Sequence, residues 1–327
     1  MCQYIYAMLK FLRKIYVRLF YKSNRISFSE QDLNRSQQIM FNLLSSGKPC
    51  MIARFGSIEL DNVVNFIGRT IKKRNLLSFI LNRQPAWWLE LDCIDALSTN
   101  AGFFPKRQVD LVDRFCKMTI DSASDLDVLG SWQDNEKYLK ERLQSCQLVE
   151  LANLEPFFAE RPWTRYLEGK KVLVVHPFAE TIKKQYDKRE LLFKNNLVLP
   201  KFSELHVVKA VQSMGGQCSQ FNTWFDALDY MKSEIDKCDY DVCLIGCGAY
   251  GFPLAAHVKH KGKQAIHLGG TLQLLFGIKG NRWFDPDSFL YPKFKELLNE
   301  NWVKPLEKEN KMVEEVKTKE PTGTPVK

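Results

Sequence analysis

Asp241-Val-Cys-Leu-Ile-Gly-Cys-Gly-Ala-Tyr-Gly-Phe-Pro253 joins a short unbroken apolar run to glycines spaced G-x-G-x-x-G (Gly246, Gly248, Gly251) and then to a helical pattern. An apolar run of this length with no polar alternation fits a strand buried on both faces, as in a parallel sheet. Working outward, the same signal recurs in Lys171-Val-Leu-Val-Val175, and 205–208 and 264–268 read as further strands. Helical patterns lie between them, over 180–193, 223–235 and 252–259. The helix over 223–235 places Trp224, Phe225, Leu228, Met231 and Ile235 at helical spacing, with Asn222 suited to cap it.

Toward the amino end, 31–44 reads as a helix, Cys50-Met-Ile-Ala53 as a buried strand, and Arg54-Phe-Gly-Ser-Ile-Glu59 as its exit into another helix. The stretch 76–165 reads as mostly helical. Strands alternating with helices predict an α/β fold, a Rossmann-like doubly wound and mostly parallel sheet, carrying a helical N-terminal extension. Ligands in such sheets bind beyond the carboxyl ends of the strands. The loops after Ala53, Val175, Ile245 and Leu268 are therefore expected to converge on a site.

The chain has 327 residues and a formal net charge of +9. Six of those charges (Lys10, Arg13, Lys14, Arg18, Lys22 and Arg25) lie in residues 1–25, which contain no acid. The body is close to neutral, which argues against nucleic acid as a partner. Lys10, Lys14, Arg18 and Lys22 recur every four residues, and Leu9, Leu12, Ile15, Tyr16, Leu19 and Phe20 occupy the rest of the helix. The bases interrupt the apolar run well before the roughly 20 residues a spanning helix needs. Residues 1–25 are thus expected to lie on an anionic membrane surface; the competing reading packs them on the protein's own core or on a second subunit. Residues 26–302 form the expected catalytic domain, and 303–327, rich in Lys and Glu, a disordered tail. Nine scattered cysteines fit reduced thiols in the cytoplasm.

Several residues at strand exits suit chemistry. The glycine run after Ile245 lets backbone N–H groups approach a phosphate, or alternatively builds a tight turn. The acid that a nicotinamide dinucleotide requires some 20 residues later is replaced by His267-Leu-Gly269-Gly270. Arg54 suits bidentate phosphate binding. Glu59 suits a metal ligand, a sugar-hydroxyl acceptor or a base, unless the two form an internal ion pair at a helix start. His176 is placed to act as a base or a phosphate donor, or to be a satisfied structural histidine. Asn100, Gly102, Arg282 and Trp283 lie in turn-like segments suited to closing over a sugar, and Arg189 is a further candidate cation.

Ala53-Arg-Phe-Gly-Ser-Ile-Glu-Leu60 resembles the A-R-x-G-D-x-E segment of the GT-D type bacterial glycosyltransferases of surface polysaccharide biosynthesis. Asn100-Ala-Gly-Phe-Phe-Pro105, Val175-His-Pro-Phe178, Phe221-Asn-Thr-Trp-Phe-Asp226 and Ile245-Gly-Cys-Gly-Ala-Tyr-Gly-Phe-Pro253 look like the same group. The resemblance implies a GT-D-like fold and a glycosyltransferase that moves sugar from a nucleotide diphosphate sugar to a surface glycan or lipid-linked acceptor. The enzyme would work as a peripheral protein on the inner face of the plasma membrane. It implies catalysis by Glu59 or His176 and donor binding by Arg54, Gly56, Ser57, Asn100, Gly102, Arg189, Gly246, Gly248, Tyr250, Gly251, Gly269 and Gly270. The family's acids also hold a divalent metal (Mn or Mg). Only Glu59 carries over, because Ser57 stands where the aspartate would be, and a hydroxyl is a poor ligand for a hard cation. The other readings are a pyruvyl or methyl transferase acting on polysaccharide, and a non-catalytic membrane-peripheral assembly factor.

Overall fold

A computed structural model describes residues 2–23, 29–213 and 215–309. Helix α1 (Cys2–Leu19) precedes α2 (Leu33–Ser45), whose amino end is capped by the Asp32 carboxylate accepting the Arg35 N–H. Strand β1 (Cys50–Ala53) then leads through α3 (Ser57–Thr70), α4 (Leu76–Ile80), α5 (Leu91–Asn100) and α6 (Val109–Ser122) to β2 (Val128–Ser131) and β3 (Gln147–Glu150). The second half runs β4 (Lys171–His176), α7 (Ala179–Tyr186), β5 (Glu204–Lys209), α8 (Trp224–Asp236), β6 (Val242–Ile245), α9 (Gly251–His260) and β7 (Gln264–His267). It closes with the single-turn helices α10 (Leu272–Leu275), α11 (Asn281–Phe284) and α12 (Tyr291–Phe294).

The seven strands form one sheet in the order β3-β2-β1-β7-β6-β4-β5, and every pairing is parallel. Side chains alternate between the two faces, as a pleated strand requires. Met51, Ala53, Leu173, Val175, Cys243 and Ile245 enter one core with α3, α6, α8 and α9. Cys50, Ile52, Val172, Val174, Val242 and Leu244 enter the other with α2, α7 and α10. Both faces are covered, which is why these strands read as unbroken apolar runs. The connection through α7 moves one way along the sheet, and those through α8 and α9 move the other way on the opposite face. This keeps the crossovers of one hand. The fold is Rossmann-like.

Three expectations need correction. The stretch 76–165 contains the parallel strands β2 and β3 rather than being mostly helical. Helix α7 stops at Tyr186, short of 193. The body also extends past Trp302: Val303 bridges to Ile278, and the Glu309 carboxylate, 2 % exposed, accepts the Glu180 N–H at 2.8 Å and the Thr181 N–H at 3.3 Å. Residues 310–327, the rest of the expected tail, lie outside the described residues. Among the described residues no helix is long and apolar enough to cross a membrane.

Trp224 anchors the first core. Fully buried, it stacks on Tyr250 with ring centres 4.8 Å apart and meets Phe115 edge-on at 5.3 Å. Trp224→Ala should therefore cost about 3–5 kcal/mol, seen as a lower urea midpoint at unchanged slope; a midpoint matching the native protein's would contradict this packing.

Candidate functional site

Parallel strands aim the carboxyl ends of β1, β2, β3 and β7 at one edge of the sheet, where a cleft of about 300 Å³ opens. Arg54 follows β1, Trp132 follows β2, Glu150 ends β3, and Leu268 and Gly270 follow β7. The segment after β7 returns as the far wall through Arg282, Trp283 and Lys293, with Glu155 beside them. Arg54 lies over the Trp132 ring at 5.3 Å. Burial holds its guanidinium below the usual range; Glu59 pulls it back up, Arg282 lowers it further, and Glu136 raises it. Lys293 Nζ lies 3.0 Å from a Glu155 carboxylate oxygen, and burial keeps that carboxyl above the usual range despite Lys293 and Arg282. The cleft thus carries three cations, two indole faces and two carboxylates.

A buried carboxylate fixes the near wall. Glu136, 0 % exposed, accepts the Trp132 N–H at 3.0 Å, the Gln133 N–H at 3.1 Å and the Ser131 hydroxyl at 2.5 Å. The side chains so oriented reach across to β1's exit: Trp132 Nε1 and Gln133 Nε2 both donate to the Phe55 carbonyl, at 3.1 and 3.2 Å.

Glu59 is occupied by its own helix. As the third residue of α3 it folds back over the helix start, and a Cβ on Gly56 would fall 1.8 Å from its carboxylate. Its own backbone N–H and the Arg54 charge stabilise the ionised form, yet burial dominates and raises its pKa. A carboxylate in the first turn of a helix is favoured there by the helix dipole. Gly56 is a glycine because that carboxylate takes the space of a side chain. Ser57 is exposed on the first turn of α3 and does not line the cleft. This donor set does not fit a divalent cation, and among the described residues no three His, Cys, Asp or Glu side chains gather as a metal site would need.

The glycine run after β6 meets the protein itself. A Cβ at Gly246 would lie 2.6 Å from the Gly269 carbonyl, and one at Gly251 would lie 2.1 Å from the His267 ring. Gly248, at φ +59, abuts the Ala101 carbonyl, which accepts the Ala249 N–H at 3.3 Å. Tyr250 is buried against Trp224, with its hydroxyl 3.3 Å from Ser213 Oγ. Gly102 belongs to the loop covering this strand end, where Ser213 Oγ donates to its carbonyl at 2.5 Å, while Asn100 is the exposed last residue of α5. Apart from Asn100, these residues, expected to bind nucleotide, instead close the sheet over β6.

At the neighbouring exit of β4, His176 is 3 % exposed and its Nδ1 accepts the Phe178 N–H at 3.0 Å. Burial lowers its pKa to about 3, so the expected base is a neutral structural imidazole. The first N–H groups of α7, which would suit a phosphate, are taken by Glu309. Arg189 lies past the carboxyl end of α7, paired with Glu190 at 2.6 Å. Because α7 runs back along β4, Arg189 is at the opposite edge of the sheet from the cleft. Of the expected donor-binding residues, Arg54 and Gly270 line the cleft, with Gly269 beside Arg54; a Cβ at Gly269 would come 3.5 Å from Arg54 Nη1. Arg282 and Trp283 line it as well. Sequence reading missed Trp132, Glu155 and Lys293, which are brought together only by the fold.

The two buried histidines set an acid limit. Burial lowers His176 and His267 from 6.5 to about 3, with the Arg54 charge adding to the effect at His267. The unfolded chain binds these protons near 6.5, so their contribution is complete above that pH and drains as pH falls toward 3. At pH 5 the loss should be about 2 kcal/mol per histidine. His176→Asn keeps an acceptor for the Phe178 N–H but does not titrate, so urea midpoints between pH 7.5 and 5 should fall less steeply. An unchanged slope would show that His176 titrates normally. No protein-family model, no curated protein and no solved structure matches this chain.

Proposed function

We propose that the chain is a GT-D-like glycosyltransferase that moves a sugar from a nucleotide diphosphate sugar to a surface polysaccharide or lipid-linked glycan acceptor. The observation that carries this reading is the convergence of Arg54, Arg282 and Lys293 with the indoles of Trp132 and Trp283 at the carboxyl ends of parallel strands. A departing diphosphate needs fixed positive charge, and two guanidiniums supply it with bidentate geometry. Flat aromatic faces suit the rings of a base or sugar.

In the proposed reaction the acceptor oxygen forms a bond to the anomeric carbon while the bond from that carbon to the diphosphate oxygen breaks. The leaving diphosphate keeps the electron pair, and a carboxylate takes the acceptor's proton. Glu155 is the better candidate for that carboxylate. It lines the cleft with its pKa raised by burial, whereas Glu59 lies outside the cleft lining, folded back over Gly56.

One observation favours a second reading, a non-catalytic assembly factor: the acid matching the family motif, Glu59, is folded over Gly56 and does not line the cleft. Two measurements separate the readings. UDP or GDP should stabilise the protein, by about 2.7 kcal/mol at a hundredfold excess over Kd. Arg54→Ala and Arg282→Ala should each weaken that binding about tenfold or more. A panel of nucleotide sugars should include one donor that is hydrolysed. The acid limb of that activity should lie above the ordinary carboxylate range and should vanish in Glu155→Gln. Nucleotide binding without turnover of any donor supports the assembly factor; stabilisation by S-adenosylmethionine instead overturns the glycosyltransferase.

A further inference from the structure

Helix α1 has three distinct sides. Tyr6, Leu9, Arg13 and Tyr16 form the inner one. Leu9 packs with Phe79 and Trp88, Tyr6 stacks on Trp88 at 4.3 Å, and the Arg13 guanidinium lies 4.7 Å from the centre of the Phe79 ring. At about 100° per residue, Tyr4, Ile5, Met8, Phe11, Leu12, Ile15 and Leu19 fall within a second sector about 120° wide. None of these is covered: Tyr4 is 84 % exposed, Phe11 62 % and Leu19 64 %. The third sector carries Lys10, Lys14 and Arg18. Lys10 pairs with Glu90, but among the described residues no carboxylate lies within ion-pair distance of Lys14, Arg18 or Lys22.

The body places a second element against α1. Helix α4 packs on α1 through Phe79 and Ile80, and its outward Leu76 and Leu77 are 57 % and 63 % exposed. Immediately before it stand Lys72, Lys73 and Arg74, all exposed and likewise without a carboxylate partner among the described residues. A water-soluble surface rarely leaves so many large apolar side chains uncovered on two helices packed together. Two adjacent elements each combine bare apolar residues with unpaired bases. That pairing matches the acyl boundary and the anionic headgroups of a bilayer together.

We propose that α1 and α4 form one docking surface for an anionic lipid bilayer, with the apolar sector of α1 and Leu76 and Leu77 inserted below the headgroups. Lys14, Arg18, Lys22 and Lys72 to Arg74 then meet the lipid phosphates. The inference is independent of glycosyl transfer.

The test is sedimentation of the full chain with phosphatidylglycerol/phosphatidylcholine vesicles and with phosphatidylcholine vesicles alone, at low and high salt. Binding should need the anionic lipid and weaken with salt. Leu76→Glu/Leu77→Glu and Phe11→Glu/Ile15→Glu should each reduce the bound fraction at least tenfold. Tyr230→Glu, an exposed site on α8, should leave it unchanged. Circular dichroism and the UDP thermal shift, read on the same samples, should match the native protein, so loss of the surface is distinguished from loss of the fold or of nucleotide binding. Failure of the native chain to sediment with anionic vesicles, or native-like binding by the α4 variant, overturns the proposal. So does a lipid-free dimer that the α1 variant splits and that ignores vesicles, because the face would then belong to a second copy.

Discussion

The Glu136 carboxylate governs the geometry of the cleft. Burying a carboxyl group is costly, and the cost is offset here by three donors within six residues of chain. Those donors come from the last residue of β2 and the loop after it, and that loop's side chains hold the Phe55 carbonyl. The loops after β1 and β2 therefore move as one rigid wall, with the Arg54 guanidinium lying over the Trp132 ring. Rigid walls built on strand ends are what allow charged side chains to be preorganised for a developing negative charge.

The sheet's carboxyl edge is divided into a closed half and an open half. Over β4 and β6 the protein fills the space with its own groups: the His176 ring, the Gly269 carbonyl, the Ala101–Gly102 segment and the Glu309 carboxylate on α7. Over β3, β2, β1 and β7 the cleft remains. Both halves have the backbone geometry of a phosphate site, since every strand exit into a helix offers free N–H groups. Occupancy by the chain itself is what distinguishes them.

Much of the fold could be read from the sequence because strands buried on both faces leave unbroken apolar runs, as in Cys50–Ala53, Val172–Val175 and Val242–Ile245. Strands β2 and β3 escaped notice for a physical reason. Each has four residues, Val128-Leu-Gly-Ser131 and Gln147-Leu-Val-Glu150, with only two large apolar positions between polar neighbours. Arg54 was legible from its place at a strand exit, and Arg282 and Trp283 from their turn. Glu155 and Lys293 were not, because their pairing spans 138 positions of chain. The G-x-G-x-x-G spacing misled in an instructive way: the same absence of Cβ atoms that admits a phosphate also admits a histidine ring and a carbonyl.

The contact between Gly251 and His267 also constrains how this chain can change over generations. The imidazole occupies the volume any side chain at 251 would need, and α9 and β7 are too tightly packed to separate. A mutation at 251 is therefore admissible only in a lineage where 267 has already become small. The reverse order passes through a destabilised ancestor. Positions sixteen apart in sequence are thus sterically coupled, and the space at Gly251 is taken by a neighbour's ring.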